Sequence, residues 1–314
     1  MGGSGGSGWS SSNLSGIDKL VQQANEQTNA LSYTSEVNSL LQDALQRYND
    51  RDTDAINKHI EDLKKAIEKE LEEESVNLNF GGSVRRHTFI DGLSDVDILV
   101  LINQTSLQGK TPKEVLEYFA GQIKQQLPNT EVFPPGKLAV TVRYSDGCEV
   151  QLLPAIKTAT GFKIASSIDE NQWSNVVRPE AFARKLTAVN KACSGKVVPV
   201  IKLFKAAVKE VFPTNLKISG YHAESLAIEA FERYEGRKTY KDMLNHLCRT
   251  ASDRVKVPIK DRTGQSIHVD DYLGSENSKE RNRVSSCLGR LATRLEKADR
   301  LQSLEEWQKL LGSE

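Results

Sequence analysis

Asp95 and Asp97 stand one residue apart at the head of the apolar run 96–102. The two-residue side-chain period of a β-strand puts both carboxylates on one face. Carboxylates crowded at one strand end raise each other's pKa unless a cation neutralises them. The pair therefore makes sense where a hard divalent metal is held through oxygen, and Mg2+ fits best. Two such ions, about 3.5–4 Å apart, would activate an attacking ribose hydroxyl and stabilise departing pyrophosphate in an in-line displacement. That chemistry wants a third carboxylate to bridge the acceptor-side ion. The apolar run 148–153 supplies Glu149, and Gln151 points to the same face two residues on.

About a dozen residues before the paired acids, Gly81-Gly82-Ser83 closes another apolar run. Glycine lets backbone amides approach a phosphate with no Cβ in the way, and the Ser83 hydroxyl adds a donor. Arg85 and Arg86 follow, either as phosphate-neutralising cations or as partners of nearby acids such as Asp91. His87 reads as a turn or core histidine, and Thr88 as a packing or hydrogen-bonding residue of the loop. A Gly-Gly-Ser turn is commonplace alone, and so is an Asp-x-Asp strand end. Their combination at this spacing, followed by a buried strand, points to nucleotidyl transfer.

A second group lies further along. Lys202, Lys205 and Lys209 fall at i, i+3 and i+7 and form a basic stripe, which is either a solvated helix face or a phosphate contact. Ser219 and Tyr221 precede a helix; a hydroxyl and an aromatic ring so placed suit hydrogen bonding and stacking of a base, and equally a helix cap and a core edge.

The elements that position these residues are legible from periodicity. Two amphipathic helices are expected between 17 and 74, broken near Asn49-Asp50-Arg51-Asp52. Short β-branched runs at 76–80, 96–102, 138–143 and 148–153 read as strands. A helix over 111–127 starts with Thr111 as cap, Pro112 at the first position and Glu114 completing a capping box. Beyond about 178 the strand signal fades. Val200, Ile201, Phe204, Val208 and Val211 form one helical stripe, and Val284, Leu288, Leu291, Leu295 and Ala298 another; 255–282 reads as a loop region.

Bulk properties exclude several classes. Lys and Arg total 42, and so do Asp and Glu, so no global positive charge draws nucleic acid nonspecifically and any phosphate binding must be local. The four cysteines lie far apart, which fits neither a zinc module nor a disulfide scaffold and is expected of reduced, cytoplasmic thiols. No apolar run reaches the roughly 18 residues that span a bilayer, and MGGSGGSG lacks the apolar centre of a signal peptide. Residues 1–12 read as a flexible expression linker.

The pattern Gly82-Ser83-x-x-Arg86-x-Thr88-x-Ile90, then Ser94-Asp95-Val96-Asp97, then Leu152-Leu153-Pro154-Ala155, resembles the DNA polymerase β-type nucleotidyltransferase superfamily. Within it the likeness is to the bacterial CD-NTases of antiphage CBASS operons, relatives of cGAS and the oligoadenylate synthases, over roughly residues 15–310. The resemblance implies an α+β fold: a polymerase β-like core with a mixed sheet and N-terminal helices over 13–178, and a helical C-terminal lobe over 179–314. It implies ATP and other nucleoside triphosphates as substrates, joined through 2′,5′ or 3′,5′ bonds into a cyclic di- or trinucleotide. Two Mg2+ ions, for which Mn2+ can substitute, are implied at Asp95, Asp97 and Glu149, and operon-encoded regulatory proteins as partners. Gly82, Ser83, Arg86, Gln151, Lys202, Lys205, Ser219 and Tyr221 take the nucleotide-binding positions, with Lys202 and Lys205 on the donor triphosphate and Ser219 and Tyr221 on the donor phosphate and base. The chain departs from the family once: the acid commonly found just before Leu-Leu-Pro is Gln151, and the nearest acid is Glu149. Gln is a neutral, weak Mg2+ ligand, so either Glu149 reaches the metal or activity is reduced. Transfer to an RNA end or a protein side chain, and a catalytically impaired nucleotide-binding relative, remain as alternatives.

Overall fold

A computed structural model gives the structure, describing residues 11–50, 53–69, 71, 76–90, 96–166, 169–264 and 268–312. Among the described residues six strands form one mixed sheet: β1 (Asn77–Phe80), β2 (Val96–Leu101), β3 (Glu131–Val132), β4 (Val140–Arg143), β5 (Glu149–Lys157) and β6 (Phe162–Ile164). Their order is β1-β2-β5-β4-β3, with β6 beside the far end of β5. Only β2 and β5 run parallel; the other pairings are antiparallel.

Alternation along β2 divides the sheet into two faces. Val96, Ile98 and Val100 enter the larger sheet core, which is covered by α2 (Thr53–Glu68) and α4 (Pro112–Gln126). Leu99 and Leu101 turn to the opposite face, where they form a small cluster with Ala155, Ile164 and Val177. The capping box of α4 forms as its spacing predicts: the Glu114 N–H donates to Thr111 Oγ1 at 3.3 Å, and the Thr111 N–H donates to the Glu114 carboxylate at 2.7 Å. β5 runs on through Pro154, past the expected stop at 153, because a hairpin closed by Thr158 N–H donating to Gly161 O at 2.8 Å pairs its end with β6.

The remaining helices are α1 (Ser11–Asn49), the one-turn α3 (Gly82–Arg85), α5 (Pro179–Ala192), α6 (Val197–Val211), α7 (Gly220–Phe231), α8 (Tyr240–Arg254), α9 (Lys279–Leu301) and α10 (Leu304–Leu310). Apart from α3 they build a second core around Phe204, Leu226, Leu247, Leu288 and Trp307. Two features bear on the domain division expected from the sequence. Ser11 and Ser12 lie in α1 and not in a linker. The buried face of α1, carrying Tyr33, Val37 and Leu41, packs into the helical core and not against the sheet. The reason is a long-range polar lock: the Trp307 indole N–H donates to the Tyr33 hydroxyl at 3.0 Å, and Tyr33 donates to the Ala298 carbonyl at 3.0 Å. Of the four cysteines, Cys193, Cys248 and Cys287 are buried. Among the described residues no helix is long and apolar enough to cross a membrane.

Candidate active site

The Gly81 N–H donates to the Asp97 carbonyl at 2.8 Å, continuing the β1–β2 ladder by one rung. The chain then turns sharply at Gly82, whose φ of +40° favours glycine. A Cβ placed there would lie 1.6 Å from Asp97 Oδ2, so the turn rests directly on the carboxylate. From this turn the Ser83 N–H points at Asp97 Oδ2, 3.4 Å away. Ser83 itself is buried, and its carbonyl accepts from the Thr88 N–H at 2.9 Å, which folds the loop back on itself.

Burial is the largest influence on Asp97 and raises its pKa. The Ser83 N–H, Arg86 and Lys205 pull it back, and Glu224 adds to the rise. A desolvated carboxylate in this state is short of positive charge, which is the condition a hard cation relieves. Asp95 lies outside the described residues. Among those described, no cluster of three or more His, Cys, Asp or Glu side chains is grouped to hold a metal.

The register of the sheet decides which residue of β5 meets Asp97. Asp97 is the Cα partner of Gln151, which in turn is paired with Thr141 of β4. Glu149 sits two residues back, roughly 6.5–7 Å along the strand. There it faces Arg143, whose guanidinium donates to it at 2.6 Å and also to Glu131 at 2.9 Å. Glu149, expected among the metal carboxylates, is engaged here by the Arg143 guanidinium, and Gln151 occupies the place beside Asp97.

The basic residues are also sorted by the fold. Lys202 is buried and donates to Asn49 Oδ1 at 2.5 Å, which ties α6 to the end of α1. Lys205, one turn on, reaches the loop after the Gly-Gly-Ser turn: its ammonium donates to the Thr88 carbonyl at 3.1 Å and to the Glu224 carboxylate at 2.9 Å. Arg86 donates to the other Glu224 oxygen at 2.5 Å, and the Thr88 hydroxyl donates to Glu224 at 2.5 Å. Arg85 pairs instead with Glu180. The solvated-face reading of the lysine stripe fails for Lys202 and Lys205, because both are drawn inward by polar partners.

Ser219 caps α7, its hydroxyl accepting from the His222 N–H at 3.1 Å, while the Ser219 N–H donates to the Tyr272 hydroxyl at 3.0 Å. The Tyr221 ring lies edge-on to Phe182, and the Arg86 guanidinium sits 5.9 Å from its centroid. The Tyr221 hydroxyl donates to Asp261 at 2.7 Å. The segment after α8, expected only as a loop, is thus strapped across the start of α7. Its anchor is Arg281, fully buried, which donates to Asp270 Oδ2 at 2.6 Å and to the carbonyls of Val255 and Gly274 at 3.0 Å. Sequence reasoning missed Glu224, Asp261 and Tyr272; the one signal for Glu224 was an acid on the apolar face of a helix, which is rare unless paired.

The fold thus seats Gly82 and Ser83 on Asp97, pairs Gln151 with Asp97 in the ladder, joins Arg86 and Lys205 through Glu224 with the Tyr221 ring beside Arg86, and leaves Glu149 and Lys202 engaged by other partners. A mixed sheet with a glycine turn seated on a strand carboxylate, closed by a helical lobe bearing cations, defines a nucleotidyltransferase of the polymerase β type. The Second Messenger Oligonucleotide or Dinucleotide Synthetase domain matches residues 31–190, about half of the chain, and the chain belongs to that family. Solved CD-NTase structures share its fold. The Bradyrhizobium diazoefficiens CD-NTase CdnG in complex with GTP superposes with a TM-score of 0.65 at 15% identity, over 88% of this chain and 96% of that one. The 3′-deoxy GTP bound form of Escherichia coli DncV gives 0.63 at 10% identity, over 96% and 90%. E. coli MS115-1 CdnC in its complex with HORMA-deltaN gives 0.61 at 15% identity, over 83% and 91%. No curated protein matches the chain.

Proposed function

We propose that this nucleotidyltransferase uses Mg2+ to link nucleoside triphosphates into a cyclic di- or trinucleotide, which serves as a signal in bacterial antiphage defence. The observation that carries the reading is the packing of Gly82 on the Asp97 carboxylate, with Arg86 and Lys205 close enough to influence its charge. The donor set fits a hard cation: Asp97 supplies a carboxylate, Gln151 opposite supplies a neutral amide oxygen, and Asp95 is the proposed second acid. When bound, Mg2+ supplies charge stabilisation at the phosphates and a more acidic attacking hydroxyl. The protein's own part is positional. Gly82 and Ser83 present backbone amides to the phosphates, Arg86 and Lys205 oppose their charge, and Ser219 and Tyr221 flank the base.

The CdnC structure is that of a complex with HORMA-deltaN, and a regulatory protein partner is proposed here by likeness. A second reading, an impaired nucleotide-binding relative, is favoured by one observation: the neutral Gln151 beside Asp97. Incubation with labelled ATP and GTP plus Mg2+ separates the readings. A phosphatase-resistant product formed without added RNA or protein supports cyclisation. Labelling that appears only when RNA or protein is added supports transfer, and nucleotide binding without turnover supports the impaired relative.

A further inference from the structure

Glu224 is the least accessible acid of the site. Its carboxylate is fully buried in the first turns of α7, where no local partner waits for it. Three donors from two distant segments converge on it: Arg86 and Thr88 from the loop after the Gly-Gly-Ser turn, and Lys205 from α6. Lys205 also donates to the Thr88 carbonyl, so Lys205, Thr88 and Glu224 close a ring to which Arg86 is attached through the other carboxylate oxygen. The Lys205 ammonium passes beneath Gly220, where a Cβ would come within 3.4 Å of it. Burial alone would raise the Glu224 pKa, but Lys205, Arg86 and the hydrogen bonds outweigh it and hold the carboxyl below its usual range. Arg86 is further stacked near the Phe182 and Tyr221 rings, at 5.4 and 5.9 Å from their centroids.

We infer that Glu224 is a positioning residue of the nucleotide site: its buried carboxylate holds Arg86 and Lys205 together at the cleft and ties the loop after the phosphate cradle to the helical lobe. The inference rests on the nucleotidyltransferase reading above, which assigns those two cations to the triphosphate. Two like charges sharing one carboxylate would repel and separate without it, and an arginine on a surface loop would sample many rotamers. A glutamine in its place has one acceptor oxygen and a donor amide, so at least one of the three donors loses its acceptor.

The sign of the effect separates this role from its rivals. If the cations stayed in place, deleting a negative charge next to them would tighten triphosphate binding. If Glu224 only supported the fold, affinity of the folded protein would not change. A positioning role predicts weaker binding despite the more positive site.

The test is titration of the full chain, Glu224→Gln and Glu224→Asp with non-hydrolysable ATP and GTP analogues in the presence of Mg2+, below each protein's melting temperature. The expected result is a Kd about tenfold weaker for Glu224→Gln, equal to loss of one charge-assisted phosphate contact. Glu224→Asp keeps the charge and the fold but falls one methylene short, and an intermediate loss is expected; it carries the test if Glu224→Gln does not fold. Unchanged or tighter binding by the folded variants, against a parent that binds, overturns the inference and leaves the nucleotidyltransferase reading intact. A parent that binds neither analogue overturns both.

Discussion

Asp97 of β2 and Gln151 of β5 are direct partners in the parallel ladder of the sheet, while Glu149 is held two residues away by Arg143. The residue beside the Asp97 carboxylate is therefore neutral. Replacing Gln151 by Glu keeps the shape and adds a charge. We expect Gln151→Glu to raise turnover by at least about tenfold, equivalent to about 1.4 kcal/mol of added transition-state stabilisation. Glu149→Gln removes only a half-exposed ion pair and should leave turnover within about threefold of the parent. Product yield by mass spectrometry checks both; a large loss in Glu149→Gln with no gain in Gln151→Glu would return the ligand role to Glu149.

Asp97→Asn should abolish product formation without lowering stability. Burial already makes the charged carboxyl costly, and the amide keeps its shape without that cost. Thermal melts of parent and variant should agree within a few degrees or favour the variant, and turnover should fall below about 1% of the parent. Residual turnover well above that level places the metal elsewhere.

Gly82→Ala should be severe for two separate reasons: a positive φ and a Cβ that collides with Asp97. Strain at such a position costs on the order of 1–3 kcal/mol, and any relief must move the carboxylate. The expected outcome is a lower denaturation midpoint together with a loss of turnover of about a hundredfold or more, as a displacement of about 1 Å at a reacting centre produces. An active, stable alanine variant would show that the turn does not bear on the acid.

The structure divides two lysines that the sequence left equivalent. Lys205→Met should raise KM for the triphosphate about tenfold, the worth of one charge-assisted contact. Lys202→Met should leave KM unchanged and lower stability, because Lys202 binds Asn49 at the end of α1. Steady-state kinetics with paired melting curves distinguish them.

His222 is fully buried, and burial, opposed by the pull of Asp270 and aided by Arg281, lowers its pKa to about 4. Its Nδ1 lies 2.9 Å from the Tyr272 hydroxyl, which also accepts from the Ser219 N–H. An unfolded histidine titrates near the ordinary value of 6.5, so between pH 6.5 and 4 the unfolded chain binds more protons than the folded one. Stability should therefore fall as pH falls through that window, with a slope approaching about 1.4 kcal/mol per pH unit from this residue. Urea denaturation at pH 7 and pH 5 measures the fall, and His222→Asn should flatten it. Asp270, whose pKa is lowered, loses its contribution only as pH drops below the ordinary carboxyl range, outside this window.

Local chemistry alone determined much of this protein. The period of two in 96–102 placed Asp97 opposite the buried Val96 and Ile98, and Thr111 with Glu114 set the start of α4. The Gly-Gly-Ser turn and the helical second half were likewise readable, because turns, caps and amphipathic stripes are specified by neighbours within one or two turns of chain. Tertiary structure decided what neighbours cannot encode. The register that sets Gln151, and not Glu149 two residues earlier, beside Asp97 depends on how two strands separated by 47 intervening residues pair, and both residues lie on the same face in either case. The assignment of α1 to the helical lobe hangs on Trp307 and Tyr33, far apart in sequence. The convergence of Arg86, Thr88 and Lys205 on Glu224 spans three segments, and no periodicity announces it: a buried charge is tolerated only where partners meet it in space, and their meeting is a property of the packed lobes.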